Sequence, residues 1–207
     1  MDRRRYVLDD FDKFHDYGCL IPERKVLFSS TYYIDGYGEA GVEFDSAQRT
    51  IKNLLFLDGR SDEPITIYWN SPGGEWPHGM AIYDVIKGCR SHIIMVGLGM
   101  VRSMGTIVMQ ACDERILTAN CDFMIHDGSE ELGGSPKTVE SWARYSKLTR
   151  DKMYKIYRDE IIKKHPKFTL AKVEEMCSHD CIMTPSFAVD LGLADKVVGE
   201  INCTGIV

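Results

Sequence analysis

A serine interrupts an otherwise apolar, glycine-containing segment, GLGMVRSMGTIVM, which spans residues 97–109. Ser103 in this setting has two interpretations. It caps a helix in a tight turn between a buried strand and a buried helix, or it presents its oxygen as a nucleophile. The segment alone favours the cap, because short motifs often match by chance. A nucleophile needs two further groups, a base that accepts its proton and donors for an oxyanion.

His126 is the histidine best placed to act as that base, because it directly follows the apolar residues FMI, and a strand would hold its ring in a fixed direction. The alternative is a strand-end histidine that is merely hydrogen-bonded to backbone. Oxyanion donors are expected in NSPGGE, residues 70–75, where adjacent glycines let backbone N–H groups face outward. The same segment also fits a simple Pro-Gly turn.

Composition argues against several classes of function. The 207 residues suffice for one domain with a substantial core, and 44% hydrophobic residues is ordinary for a globular chain. A net charge of −6 argues against general binding of nucleic acid phosphates. We find no membrane span and no secretory signal. Seven cysteines without a framework suit a reducing cytosol, and the spacing of Cys177 and Cys181 is atypical of a metal site.

Short apolar segments alternate with helical periodicity, which predicts an α/β fold with a parallel or mixed sheet. The predicted strands cover residues 25–28, 65–69, 92–97, 115–118, 123–126 and 196–198. Helices are predicted from apolar stripes at Ala47, Ile51, Leu54 and Leu55, at Met80, Tyr83 and Ile86, and at Leu170, Val173 and Met176. A last helix is predicted from Thr184-Pro185 to Gly192. Residues 31–45 fit neither period, which predicts an exposed loop or hairpin.

The longest helix is predicted between Ser135 and His165. Ser135-Pro136 is a favourable pair for an N-cap and first turn, and His165-Pro166 ends the periodicity. Its apolar stripe consists of Val139, Trp142, Tyr145, Leu148, Ile156 and Ile161.

Four segments occur in a recognisable order, namely IYWNSPGGEWPHGMAIYDVI, GMVRSMGTIVMQA, FMIHD and HDCIMTPSFAVDLGLADKVV. Together they resemble the ClpP family of self-compartmentalised serine proteases over about residues 20–200. The resemblance implies a ClpP/crotonase-like α/β fold in which a protruding handle, residues 135–165, joins two rings. It divides the chain into an N-terminal segment 1–17 that is an axial gate or disordered, a peptidase domain 18–200 and a tail 201–207.

The resemblance also assigns catalytic roles. Ser103 resembles the nucleophile, His126 the general base and Asp180 the orienting carboxylate. Spacing would not have selected Asp180 among the acidic residues, and only the match through HDCIMTP identifies it. With this support we interpret Ser103 as a nucleophile.

Further residues are assigned to substrate binding by the same resemblance. The oxyanion hole would consist of the backbone N–H groups of Gly74 and Met104. Gly133, Gly134 and Ser135, just before the handle, would pair with a substrate strand through backbone hydrogen bonds.

The implied function is a serine endopeptidase that cleaves unfolded polypeptides through an acyl-enzyme. Stacked rings, seven-membered in the family, would enclose the active sites, and a hexameric Clp ATPase unfoldase would deliver the substrates. The resemblance implies no metal or organic cofactor for this chain, since the partner would use the ATP. It implies a cytoplasmic protein without nucleic acid or membrane partners, with a viral or organellar source left open.

Several residues depart from the family pattern. Arg102 replaces a small residue before the serine, Asp127-Gly128 replaces a common Gln-Pro, and His179 stands where many members carry an arginine that links subunits. Residues 31–45 resemble an insertion, and the stretch from Ser103 to His126 is slightly shortened. These differences indicate a divergent branch.

Alternative functions stay open at this point. One is a ClpP-like prohead protease that matures viral capsids, and another is a catalytically weak ring subunit kept for assembly. An acyl-CoA-handling member of the crotonase fold would not need this Ser-His-Asp order. An α/β-hydrolase fits poorly, because Val101 replaces the first glycine of its Gly-x-Ser-x-Gly elbow and its triad order differs.

Overall fold

The computed structural model describes residues 10, 12–28 and 41–199. Eight strands form a single sheet in this part of the chain. They are β1 (Cys19–Leu20), β2 (Lys25–Phe28), β3 (Ile65–Ser71), β4 (Ile93–Arg102), β5 (Glu114–Thr118), β6 (Asp122–Ile125), β7 (Cys181–Met183) and β8 (Lys196–Val198).

The helices alternate with these strands, as the periodicity predicts. They are α1 (12–17), α2 (Phe44–Asp58), α3 (Trp76–Gly88), α4 (Met104–Met109), α5 (Pro136–Lys164), α6 (Leu170–Cys177) and α7 (Pro185–Leu191). No described helix has an apolar stretch long enough to cross a membrane. Three N-caps are made by the side chains of Ser135, Thr169 and Thr184, each of which accepts a hydrogen bond from the backbone three residues later.

The sheet is mostly parallel, with the order β1-β2-β3-β4-β5-β8. β4 has two partners on one of its sides. Its first half pairs with β5, from Ile94 opposite Glu114, and its last three residues pair with β6, up to Arg102 opposite Met124. β7 then pairs antiparallel with β6. The carboxyl ends of β4 and β6 therefore lie side by side.

The structure corrects the predicted end of β4. The sequence places a turn after Gly97, whereas the strand continues to Arg102. It continues because β6 supplies new backbone partners after β5 ends, and Gly99, with a φ of +58°, accommodates the irregular backbone between the two partners. The short strands β1 and β7 are not predicted, because two or three residues carry no usable period.

The structure also corrects the prediction for residues 41–45. Of the predicted loop or hairpin 31–45, residues 31–40 lie outside the described residues. Val42 is fully buried and forms a parallel bridge with Gly74, and α2 begins at Phe44. A capping box between Glu43 and Ser46 starts this helix, although Glu43 is not among the usual caps. Leu55, assigned to the apolar stripe of α2, is instead 57% exposed.

The N-terminal segment is only partly described. Residues 12–17 are helical, while residues 1–9 and 11 lie outside the described residues. The axial gate stays a prediction, as does the tail 201–207, which also lies outside them.

The long helix α5 combines a buried and an exposed part. Met153, Tyr154, Tyr157 and Ile161 are buried against the body of the protein, whereas Trp142, Tyr145 and Leu148 are exposed by 54%, 46% and 66%. Trp142 and Tyr145 contact each other edge to face. The predicted stripe of α5 thus divides into a core-facing end and an uncovered apolar surface.

Candidate active site

Ser103 forms the turn between β4 and α4 in a backbone conformation that is unusual for a serine. Its φ is +49° and its ψ is −122°. It occupies the N-cap position of α4, but its side chain makes no capping hydrogen bond. The Oγ atom instead lies 2.9 Å from His126 Nε2. The turn therefore directs the hydroxyl at the imidazole rather than at the helix.

Sheet pairing sets the distance between these two residues. β4 ends at Arg102 and β6 ends at Ile125, one residue before His126. The backbone N–H of Ser103 continues the ladder by donating to the Met124 carbonyl at 2.8 Å. Because both side chains leave adjacent strand ends, the serine and the histidine meet without help from a mobile loop.

Asp180 reaches the other nitrogen of the same ring. It follows α6 and precedes β7, whose Cys181 is paired with Ile125 next to the histidine. Its Oδ1 lies 2.7 Å from His126 Nδ1. The Asp180 side chain is 69% exposed and that of His126 is 24% exposed. The three side chains form one hydrogen-bonded series, carboxylate to imidazole to hydroxyl, that can move a proton away from the serine.

Two glycines of the segment NSPGGE approach Ser103 and Val42 more closely than any side chain would allow. Gly73 and Gly74 have φ values of +113° and +144°. A methyl group on Gly73 would lie 2.5 Å from the Ser103 Cβ, and one on Gly74 would lie 2.5 Å from the backbone N and O of Val42. The segment is thus more than a surface turn.

Val42 holds this segment from the opposite side. Its N–H donates to the Gly73 carbonyl at 2.6 Å, and its carbonyl accepts from the Glu75 N–H at 2.8 Å. The N–H groups of Gly74 and Met104 make no hydrogen bond with any described residue. Among the described residues, both N–H groups are therefore donors without a partner. Sequence reasoning missed Val42, because a single buried residue before a helix carries no period.

A cleft of about 200 Å³ opens onto the serine and histidine. Apolar side chains line one part of it, and charged groups line another. The lining residues are Gly74, Glu75, Trp76, Ser103, Met104, Ile107, His126, Asp127, Gly128, Ser129, Glu130, Thr149, Arg150 and Met153. Among described residues, no group of three or more His, Cys, Asp or Glu side chains is arranged to hold a metal ion.

The predicted substrate-strand residues lie apart from this lining. Gly133, Gly134 and Ser135 are exposed, and the Ser135 hydroxyl caps α5. The cleft is instead lined by the residues directly after His126, from Asp127 to Glu130.

Two of the unusual residues have structural partners. Arg102, the last residue of β4, forms an ion pair with Asp122, the first residue of β6. His179 is exposed, and its Nδ1 lies 3.4 Å from the Ser178 hydroxyl.

Comparison with known proteins gives one consistent family. The sequence model of the family described as Clp protease matches residues 37–200. A protein of Deinococcus radiodurans named ATP-dependent Clp protease proteolytic subunit is 32% identical over 162 residues, which is 77% of each chain. A protein of Paracoccus denitrificans with the same name is 32% identical over 158 residues, 75% of this chain and 77% of its own. The mixed α/β sheet agrees with the fold of this family, and the chain belongs to the Clp protease family.

Proposed function

We propose that this chain is a serine endopeptidase in which Ser103 is the nucleophile, His126 the general base and Asp180 the residue that orients the base. The observation that carries the proposal is the continuous series of hydrogen bonds from Asp180 Oδ1 to the Ser103 Oγ, at 2.7 Å and 2.9 Å. A hydroxyl that served only as an N-cap would bond to its own helix, and this one does not.

The reaction proceeds in two halves. The Ser103 oxygen attacks the peptide carbonyl carbon while its proton passes to His126 Nε2, and Asp180 stabilises the imidazolium that results. The N–H groups of Gly74 and Met104 hold the oxyanion of the tetrahedral intermediate. The intermediate collapses, the amine leaves with the proton from His126, and an acyl-serine ester remains. Water then attacks the ester with His126 again as base, which releases the acid and restores the serine.

No part of this reaction requires a metal or an organic cofactor in the chain. We propose that Gly133, Gly134 and Ser135 help to align an extended substrate by backbone hydrogen bonds, as a continuation of the segment that lines the cleft. We propose that the substrate is an unfolded polypeptide, which can enter the cleft of about 200 Å³ as an extended chain.

The assembly is part of the proposal. The two relatives are named as proteolytic subunits of an ATP-dependent protease, which supports the proposal that another chain uses the ATP. We propose that this chain forms stacked rings, seven-membered as in its family, in the cytoplasm, and receives substrates from a hexameric Clp ATPase. The exposed Trp142, Tyr145 and Leu148 support a contact between copies through α5.

Fluorophosphonate labelling tests the chemistry. The reagent phosphonylates an activated serine, so mass spectrometry should find one modification, on the peptide that contains Ser103. Ser103→Ala should abolish labelling and the hydrolysis of small peptide esters, while His126→Ala should reduce both by several orders of magnitude. An unlabelled wild-type chain would instead support a ring subunit without activity, and hydrolysis that survives Ser103→Ala would exclude this mechanism.

A further inference from the structure

Two tyrosine hydroxyls on α5 form hydrogen bonds with side chains in the segments that follow the serine and the histidine. Tyr154 and Tyr157 are three residues apart, so they project from one face of the helix. Tyr157 is fully buried and Tyr154 is 8% exposed. A buried hydroxyl is unfavourable unless it is hydrogen-bonded, whereas phenylalanine would fill the same space without that requirement.

The Tyr157 hydroxyl is connected to Ser103 through one intervening side chain. It lies 2.6 Å from Thr106 Oγ1, which in turn lies 2.6 Å from the Ser103 carbonyl oxygen. The threonine has a single hydroxyl proton and directs it to the carbonyl, so Tyr157 is the donor to Thr106. This series ends on the residue with a φ of +49°, where the backbone needs outside support to keep its conformation.

The Tyr154 hydroxyl is connected to the residue after His126. It donates to Asp127 Oδ1 at 2.7 Å, while the Asp127 backbone N–H donates to the Cys177 carbonyl, also at 2.7 Å. Burial raises the pKa of Tyr154, and its bond to the Asp127 carboxylate raises it further, so the hydroxyl keeps its proton at neutral pH. Asp127 is therefore fixed by its side chain and by its backbone.

We propose that Tyr154 and Tyr157 are positioning residues, which hold the His126 segment and the Ser103 turn at the distance that proton transfer needs. This inference rests on the proposed peptidase function. One face of α5 then fixes the positions of both Ser103 and His126, the two partners of this hydrogen bond. A change in the tilt of α5 would therefore alter the reactivity of Ser103 by moving the groups that support its backbone.

A double-mutant cycle tests the Tyr157 series. The variants are Tyr157→Phe, Thr106→Val and their combination, with Tyr83→Phe on α3 as control, because the Tyr83 hydroxyl makes no hydrogen bond with a described residue. Loss of one hydrogen bond predicts a kcat about tenfold lower for a small peptide ester, with KM within about twofold. The double variant should be no slower than the slower single one, because both act through one series. Unchanged kcat in Tyr157→Phe, or multiplicative effects in the double variant, would overturn the proposal.

The pH profile tests Tyr154. The groups that face the imidazole and its neighbour are Asp180, Asp127, Cys177, Arg150, Tyr154, Glu75 and Glu130. In Tyr154→Phe the Asp127 carboxylate loses its donor and favours the protonated imidazole more strongly. The acid limb of kcat/KM should therefore move to higher pH. Asp127→Asn added to this variant removes the charge and should return the limb to the wild-type position or below it.

Two controls distinguish a variant that fails to fold from one that folds but loses activity. Circular dichroism and thermal unfolding should show that each variant keeps its fold, and fluorophosphonate labelling of the wild-type chain establishes that Ser103 is reactive. If the wild type is not labelled, the proposed function and this inference fail together. If the wild type is labelled and the folded tyrosine variants react at the same rate and with the same pH profile, only this inference fails.

Discussion

At the scale of single residues, the space around Ser103 leaves no room for a side chain at Gly73. A methyl group there would lie 2.5 Å from the serine Cβ and 3.1 Å from the Arg102 carbonyl oxygen. Both contacts involve atoms that cannot rotate away. The backbone of NSPGGE is therefore packed against Ser103 at a distance that only glycine allows, even though it contributes no side chain to the contact.

Gly73→Ala should lower activity more than the addition of one methyl group would suggest. Its φ of +113° is strained for alanine, and the clash displaces either the serine or the adjacent Gly74 N–H. We expect a loss of about 100-fold or more in kcat/KM, comparable to losing an oxyanion donor, and about 1–3 kcal/mol in unfolding free energy. Peptide ester hydrolysis and urea unfolding measure the two effects.

Gly88→Ala is the matched control. Gly88 ends α3, and a methyl group there meets no atom within 4 Å. This variant should be fully active and slightly more stable, because alanine favours a helix. Equal effects of the two substitutions would contradict a specific role for the Gly73 contact.

The residues of the proposed triad stand out in the sequence to different degrees. Ser103 and His126 stand out because each is a polar residue at the end of an apolar segment. Asp180 does not, because a carboxylate after a short helix resembles many others, and family similarity alone selected it. Val42, Thr106 and Tyr157 left no signal, since buried contacts between distant segments have no period along the chain.

At the scale of elements, a buried arginine fixes the C-terminal half of α5 to the sheet. The guanidinium of Arg115 on β5 makes two hydrogen bonds with Asp195, before β8, and others with Glu160 on α5 and with Gln110. Partial burial would raise the pKa of Asp195, but its hydrogen bonds and attraction to Arg115 outweigh this and lower the pKa below 3.8. The same network therefore holds the helix that carries Tyr154 and Tyr157.

The Asp195 contact should make stability depend on pH in a defined direction. Because the folded pKa lies below the ordinary value of 3.8, the contact stabilises the protein above about pH 4 and is lost as pH falls through the lowered value. Asp195→Asn should reduce the unfolding free energy at pH 7 by about 1–2 kcal/mol. Urea unfolding should show this difference from wild type shrinking below pH 3.8. Asp190→Asn, an exposed carboxylate without an ion pair among described residues, should show no such difference.

The predicted ends of α5 and α7 agree with the structure, whereas the predicted end of β4 does not, for a physical reason. The ends of α5 and α7 are set by local groups, such as the Ser135 and Thr184 caps and the left-handed Gly192. The end of β4 is set by which strand lies beside it, and the sequence of β4 does not contain that information. The predicted end of β4 was wrong because pairing with β6 extends this strand up to the turn that contains Ser103.

At the scale of the whole molecule, α5 presents an apolar surface that nothing in the described chain covers. Trp142, Tyr145 and Leu148 recur every three residues in the N-terminal half of α5, and all three are exposed. Exposed apolar groups in such a row are typical of a contact between proteins. We expect α5 of a second ring to cover them.

Trp142→Ala should split the assembly into smaller species and lower peptidase activity with it. A buried tryptophan side chain contributes about 2–3 kcal/mol by removal of apolar area from water, and each ring interface would lose this several times. Analytical ultracentrifugation with a parallel peptidase assay measures both consequences. Lys147→Ala, on another side of the same helix, should leave the assembly intact. A Trp142→Ala chain that stays assembled would show that this surface is not the ring contact.

The φ of +49° at Ser103 has a consequence for the energetics of the fold. A serine in this conformation costs about 1–3 kcal/mol, and glycine removes that cost at the smaller entropic cost of a more flexible unfolded chain. Ser103→Gly and Ser103→Ala both lack the nucleophile, so a difference in their thermal midpoints reports the backbone alone. The glycine variant should melt several degrees higher, and equal midpoints would contradict the strain. Natural selection for activity would then have kept this chain less heat-resistant than an inert copy of itself.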